Sequence, residues 1–231
     1  MSLTIDEKKS STTLSKEQLL NALFFFLLGL VLFGALYVSV KNNAYLTRFD
    51  KPVLDWMASH RTPTLTTIMQ FVTNIATPVG LAGTIGVGAV LWGLYKKEIW
   101  RPALLIGAMG ASFVVSTVVK NIVERGRPPT ASMLQPFETD YSFPSGHTIG
   151  IAVCLFVLSY LLYSRTPGFG RLIGLLFMTI IGVGAVAISR LYLGYHWITD
   201  VGASIGLAFM ILAIVIVIDF IFQRKTKGSA F

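Results

Sequence analysis

The sequence predicts an all-α fold, a six-transmembrane-helix bundle with short interfacial helices in the first outer loop. Three observations predict it. Hydrophobic residues make up 54% of the 231, and mean hydropathy is +0.69. Only 13% of residues are charged, about half the usual share of a soluble domain. The charges fall between apolar stretches, most of them close to the roughly 20 residues that a helix needs to cross a bilayer. The same figures exclude a disordered chain, which needs low hydrophobicity. They also argue against a nucleic-acid partner. Net charge +8 and pI 9.7 are basic, but too few charges remain for a basic stripe over a soluble core.

The elements follow in order. Residues 18–40 run without charge between Glu17 and Lys41 and form the first span. The stretch from Thr62 to Tyr95 is too long for one span, and Pro78 divides it, so the second span is placed at 79–95. Before it, Thr62 reads as an N-cap with Pro63 at the first helical position. Leu65, Ile68, Met69, Val72 and Ile75 then form one apolar stripe. A similar short helix starts at Asp50 and carries Val53, Leu54 and Met57. Both are expected to lie at the membrane interface. Stretches 102–119, 141–164, 172–189 and 201–218 give spans three to six.

The expected organisation is an N-terminal tail (1–18), one six-span domain (19–222) and a C-terminal tail (223–231). The first apolar run is longer than a signal-peptide core and follows a charged tail, so it reads as a retained span. Cys154 is the single cysteine, which excludes an intrachain disulfide.

Six spans place both termini on one side. With the termini in the cytoplasm, eleven of the 19 basic residues fall inside, and Lys41, Arg48, Lys51, Arg61, Lys120, Arg125, Arg127 and Arg190 fall outside. The inner excess favours a multi-pass plasma-membrane protein in this orientation. Trp92 and Trp100 then sit near the inner interface and Trp197 near the outer one.

The outer side gathers reactive groups. Lys120 and Arg127 follow span three, Ser145, Gly146 and His147 open span four, and Arg190, His196 and Asp200 follow span five. Three converging cations suit a tri-oxygen anion such as a phosphoryl group. A hydroxyl and backbone N–H groups at a helix start would add to them. His196 and Asp200 are four apart, and a sixth span starting near His196 would put both on one face. The carboxylate then holds one ring nitrogen protonated and leaves the other free as a nucleophile. His147 remains as a general acid. Singly, each has an ordinary reading as a helix-end cap, a headgroup contact or a polar anchor. Glu124 and Arg125 read as solvated loop charges, and Asp219 as an inner-interface residue near Arg224 and Lys225. His60 lies in a loop without charged company. Gly146-x3-Gly150 and Gly202-x3-Gly206 suggest that spans four and six pack face to face there.

The residues KNIVERGRP, PSGH and SRLYLGYHWITD stand in the pattern Lys-x6-Arg-Pro, Pro-Ser-Gly-His and Ser-Arg-x5-His-x3-Asp. In this the sequence resembles the type-2 phosphatidic acid phosphatase superfamily of membrane lipid phosphatases. The resemblance implies that His196 forms a phosphohistidine, that Asp200 orients it and that His147 protonates the leaving alkoxide. Lys120, Arg127, Ser145, Gly146 and Arg190 would hold the phosphoryl oxygens. It implies no metal and no cofactor, and membrane lipids with a lipid phosphate as the only required partners. The compact chain is similar to the bacterial phosphatidylglycerophosphatase branch, which implies phosphatidylglycerol phosphate as substrate. Undecaprenyl diphosphate is the runner-up. A non-enzymatic lipid transporter would need charges at mid-membrane, which the spans lack. A soluble haloperoxidase-like protein sharing the motifs would not have six spans.

Overall fold

The computed structural model describes the backbone of residues 5–228, with side chains for residues 16–77 and 80–224. The first four and last three residues of the expected tails lie outside the described residues. Eight helices follow one another: α1 (Ile5–Lys41), α2 (Asp50–Ser59), α3 (Pro63–Ile75), α4 (Pro78–Lys96), α5 (Trp100–Val123), α6 (Gly146–Arg165), α7 (Phe169–Tyr192) and α8 (Ile198–Gly228). Single 3₁₀ turns occupy Tyr45–Phe49 and Thr130–Ser132. There are no strands among the described residues.

Among the described residues, five helices are long and apolar enough to cross a membrane: α1 from Lys16, α5, α6, α7 and α8 to Arg224. A sixth crossing is available from α3 and α4 taken together, which bend by 54° at their junction. The bend has a local cause. The Thr77 hydroxyl accepts from the Gly80 N–H at 3.0 Å, capping α4. Thr62 caps α3 in the same way, accepting from Leu65 N–H at 3.3 Å ahead of Pro63.

The core lies where α8 and α6 are enclosed by their neighbours. α8 runs along α1, and α6 packs between α5, α7 and α8. Ile149, Val153, Val157, Leu161, Ala208 and Leu212 form its centre. The glycine pairs act differently from the expectation. Gly206 lies against the backbone of Gly29 and Phe33 on α1, and Gly202 against Leu36 of the same helix. Gly150 faces Leu81 on α4, and Gly146 is nearest Ser116 on α5. Small residues belong where backbones approach most closely, and for α8 that neighbour is α1. α6 and α8 do pack together, but through apolar side chains such as Phe156 on Phe209, and at the start of α6 Ser204 Oγ donates to the Ser145 carbonyl at 3.1 Å.

Asp219 also departs from the expectation. It is 0% exposed. Its carboxylate accepts from Trp100 Nε1 at 2.9 Å, Tyr160 Oη at 2.9 Å and Gln223 Nε2 at 2.7 Å. A carboxylate inside a helical bundle needs such donors, and α5, α6 and α8 each supply one. Trp100 stacks on Phe222 with ring centroids 3.6 Å apart, so it joins helices. Trp92 packs against the core.

Candidate active site

At the end of the bundle opposite Asp219, a cavity of about 840 Å³ lies between α4, α5 and α6. Its polar end is lined by Lys120, Arg127, Glu138, Asp140, His147 and His196. Its other end is apolar and includes Ile85, Ile106 and Phe113. Ile106 and Phe113 are exposed on the bundle's outer surface, so the cavity wall reaches the membrane-facing side.

The cations come from helix ends. Lys120 is in the last turn of α5, and its ammonium donates to Asp140 Oδ2 at 2.5 Å and to the Tyr141 carbonyl. Arg127 follows in the α5–α6 loop. Its Nη2 pairs with Asp140 Oδ1 at 2.5 Å, while Nη1 pairs with Glu138 Oε2 at 2.7 Å and donates to the Tyr195 carbonyl at 2.7 Å. Arg190, in the last turn of α7, is 1% exposed. Its Nη1 donates to Thr73 Oγ1 at 2.7 Å, Nη2 pairs with Glu138, and Nε is buried with no hydrogen-bond partner among the described residues. Glu138 and Asp140 therefore tie the three cations together. Asp140 stays ionised down to about 2: burial alone would raise it, but Lys120 and Arg127 outweigh that. Glu138 is lowered by Arg190 and Arg127 against the same opposing burial.

The histidine nucleophile candidate sits in a tight loop. Tyr195 N–H donates to the Arg190 carbonyl at 3.0 Å, which ends α7. Gly194 turns the chain with φ +77°, and a Cβ there would run into the Ser132 carbonyl, so only glycine fits. His196 follows two residues before α8 rather than on it. It still meets Asp200, because Asp200 Oδ2 accepts from Trp197 N–H at 2.9 Å and from His196 Nδ1 at 3.4 Å. With Nδ1 protonated toward Asp200, Nε2 carries the lone pair. Arg127 Nη1 lies 3.3 Å from that Nε2. Burial, then Arg190 and Arg127, push the His196 pKa well below its ordinary 6.5. The ring is neutral at neutral pH, as a nucleophile must be.

Of the residues singled out in the sequence, Lys120, Arg127, Gly146, His147 and His196 line the cavity. Arg190 and Asp200 stand one layer back, bonded to Glu138 and His196 respectively. Ser145 is buried as the N-cap of α6, where its oxygen accepts from Thr148 Oγ1 at 3.0 Å and Thr148 N–H at 3.4 Å. Arg125 is not a solvated loop charge. Only 14% of its side chain is exposed, and it pairs with Asp200 Oδ1 and Asp50 Oδ2, each at 2.5 Å. Its two buried carboxylate partners hold most of the side chain away from solvent. Glu124 does lie exposed. Glu138 and Asp140 went unread in the sequence, although three gathered cations imply counter-charge nearby. Asp50 and Thr199 gave no local signal.

A family model described as the PAP2 superfamily matches residues 101–224, which takes in every one of these motif residues. The chain belongs to the PAP2 superfamily. It is a membrane phosphatase. This PAP2 chain is 30% identical over 192 residues to phosphatidylglycerophosphatase B of Bacillus subtilis (strain 168), covering 81% of this chain and 90% of that protein. Its structure is similar to the crystal structure of a transmembrane PAP2-type phosphatidylglycerolphosphate phosphatase from B. subtilis. The TM-score is 0.74 at 26% identity, over 86% of this chain and 96% of that one. The LpxE structure from Aquifex aeolicus shares the fold with this PAP2 chain, with TM-score 0.54 at 19% identity over 73% of this chain and 94% of that one.

Proposed function

We propose that this PAP2 protein hydrolyses phosphatidylglycerol phosphate to phosphatidylglycerol and inorganic phosphate through a phosphohistidine on His196. The observation that carries the reading is the neutral, Asp200-held His196 with Nε2 facing Arg127 amid three cations. The relative from B. subtilis supports the choice of lipid.

In the first step, Nε2 attacks phosphorus and the P–O bond to the glycerol breaks. A proton that enters with the phosphate monoester rests on His147 and passes to the leaving alkoxide. In the second, water attacks phosphorus, His147 takes the water's proton, and the P–N bond breaks to release phosphate and restore His196. Lys120, Arg127 and Arg190 stabilise the equatorial oxygens in both transition states, supplying the positive charge that a metal would otherwise bring. The unpartnered Arg190 Nε and the N–H groups of Gly146 and His147 at the start of α6 add donors. Ser145 sets that helix start.

The acyl chains occupy the apolar end of the cavity, so the lipid slides in laterally past α4 and α5 without leaving the bilayer. The site faces the outer side of the plasma membrane, with both termini cytoplasmic. α2 and α3 lie at the interface on the site side.

The test is phosphate release in detergent with EDTA from a panel of phosphatidylglycerol phosphate, phosphatidic acid and undecaprenyl diphosphate. Wild type is expected to act without divalent metal, with the highest kcat/KM on phosphatidylglycerol phosphate, and His196→Ala to release none. A metal requirement or activity surviving in His196→Ala would refute the mechanism. A higher kcat/KM on another lipid would refute the substrate.

A further inference from the structure

Asp200 has two oxygens, and only one of them serves the nucleophile. Oδ2 faces His196 and Trp197 N–H. Oδ1 points the other way, into a buried network built from three separate segments. Arg125, in the α5–α6 loop, places Nη1 at 2.5 Å from Asp200 Oδ1 and Nη2 at 2.5 Å from Asp50 Oδ2. Arg125 Nη1 also donates to Thr199 Oγ1 at 2.6 Å. Asp50, the first residue of α2, in turn accepts from the Thr199 N–H at 3.1 Å and the Thr199 hydroxyl at 2.9 Å. The guanidinium stands 5.6 Å from the Trp197 ring centroid, and that ring is pinned by Nε1 donating to the Gly126 carbonyl at 3.0 Å. One planar fork thus spans two carboxylates, which a lysine ammonium could not match.

We propose that Arg125, backed by Asp50 and Thr199, is the positioning residue that holds Asp200 ionised and aimed at His196. The claim rests on the reading of His196 as nucleophile and goes beyond it. Asp200 is 0% exposed, and a carboxylate so enclosed stays charged only beside a compensating cation. Among the described residues, Arg125 is the cation that pairs with it besides His196 itself. The His196–Asp200 separation of 3.4 Å is long for a charge-assisted bond, so His196 alone does not fix the carboxylate. Arg125 and the Trp197 N–H do, with the Ser142 hydroxyl as a further donor. Losing Arg125 frees the carboxylate to turn or to take up a proton. Nδ1–H of His196 then loses its acceptor, and Nε2 is no longer reserved as the lone-pair nitrogen.

The experiment is a double-mutant cycle on the full-length protein in detergent, reading kcat, KM and thermal midpoint for Arg125→Gln, Arg125→Lys, Asp200→Asn and Arg125→Gln/Asp200→Asn. Arg125→Gln is expected to lose kcat by about 100-fold, the scale of removing one fixed electrostatic contact in an active site, with KM changing by less than about threefold. In the Asp200→Asn background the same change should cost less than about threefold, because there is no carboxylate left to hold. Arg125→Lys should recover part of the loss. If Arg125→Gln does not fold, Arg125→Lys is carried through the same cycle. Equal losses in both backgrounds, a loss confined to KM, or an unchanged kcat would overturn the proposal. A His196→Ala control separates the two levels. Activity there would overturn the reading of the site itself. Its silence beside a fully active Arg125→Gln would overturn only the role of Arg125.

Discussion

The depressed pKa of His196 makes a stability prediction that is independent of turnover. The ring is 1% exposed and stays neutral in the fold, whereas in the unfolded chain it titrates near its ordinary 6.5. Unfolding in acid therefore takes up one proton at this position. A histidine lowered in the folded state leaves stability intact above about pH 6.5 and erodes it as pH falls below that value. Lowering pH from 7 to 5 then costs at most about 2 kcal/mol by this linkage, the limit reached when the folded ring takes up no proton in that range. For a chain of this size that is a drop of about 4–8 °C in Tm. Glu138 and Asp140 contribute little in this window, since their ordinary values are 4.5 and 3.8 and their folded values lie lower still. The assay is thermal unfolding in detergent at pH 7 and pH 5 for wild type and His196→Gln. The variant should lose less stability on acidification by about that amount. Parallel losses in the two proteins would show that His196 is not held neutral, and the case for a standing nucleophile would fail with it.

Three further predictions follow from the packing and the charge arrangement. Gly206→Ala puts a Cβ against the backbone of Phe33 and Gly29 on α1, which cannot yield, whereas Gly150→Ala meets only the tip of Leu81. Thermal unfolding should show Gly206→Ala destabilised by about 1–3 kcal/mol and Gly150→Ala near wild type. Gly110 lines the cavity, and a Cβ there meets nothing within 4 Å. Gly110→Phe should therefore lower kcat/KM on long-chain lipid phosphates by about tenfold or more while leaving a short soluble phosphate monoester largely unaffected, if the acyl chain fills that space. Glu138→Gln removes the carboxylate on the buried Arg190. Its Tm should fall, and added inorganic phosphate should raise it more than in wild type; equal phosphate shifts would count against this anion site.

The helices were readable because bilayer-length apolar runs and flanking charges mark them directly. Thr62-Pro63 and Thr77-Pro78 marked the starts of α3 and α4 by cap chemistry alone. Packing partners were not readable. Gly202 and Gly206 announced close approach, but sequence says nothing about whether α6 or α1 makes it. The site divides in the same way. Lys120, Arg127, His147, His196 and Asp200 could be found because their spacing is tied to one chemistry. Arg125 could not. A lone arginine in a loop looks solvated until Asp50, 75 residues earlier, and Asp200, 75 residues later, are seen on either side of it. The burial of Asp219 is hidden for a related reason: its donors Trp100 and Tyr160 come from two other helices.

The two halves of this network differ in charge, and the difference bears on how substrate is accepted. Behind His196, one cation, Arg125, serves two carboxylates, Asp50 and Asp200. In front of it, three cations, Lys120, Arg127 and Arg190, serve two, Glu138 and Asp140. The front half is thus one charge positive before substrate arrives, and the negative half lies on the far side of the nucleophile. A phosphate monoester brings about −1.5 to −2, more than one excess cation balances. Phosphate binding is therefore expected to compete with one of the two carboxylates for its cations. Asp140 is the one able to give way: its side chain is 62% exposed, against 24% for Glu138, so it reaches water by rotating away. A turned Asp140 would free Lys120 and Arg127 Nη2 for the incoming oxygens, while Glu138 still pairs with Arg190 and Arg127 Nη1 beside His196.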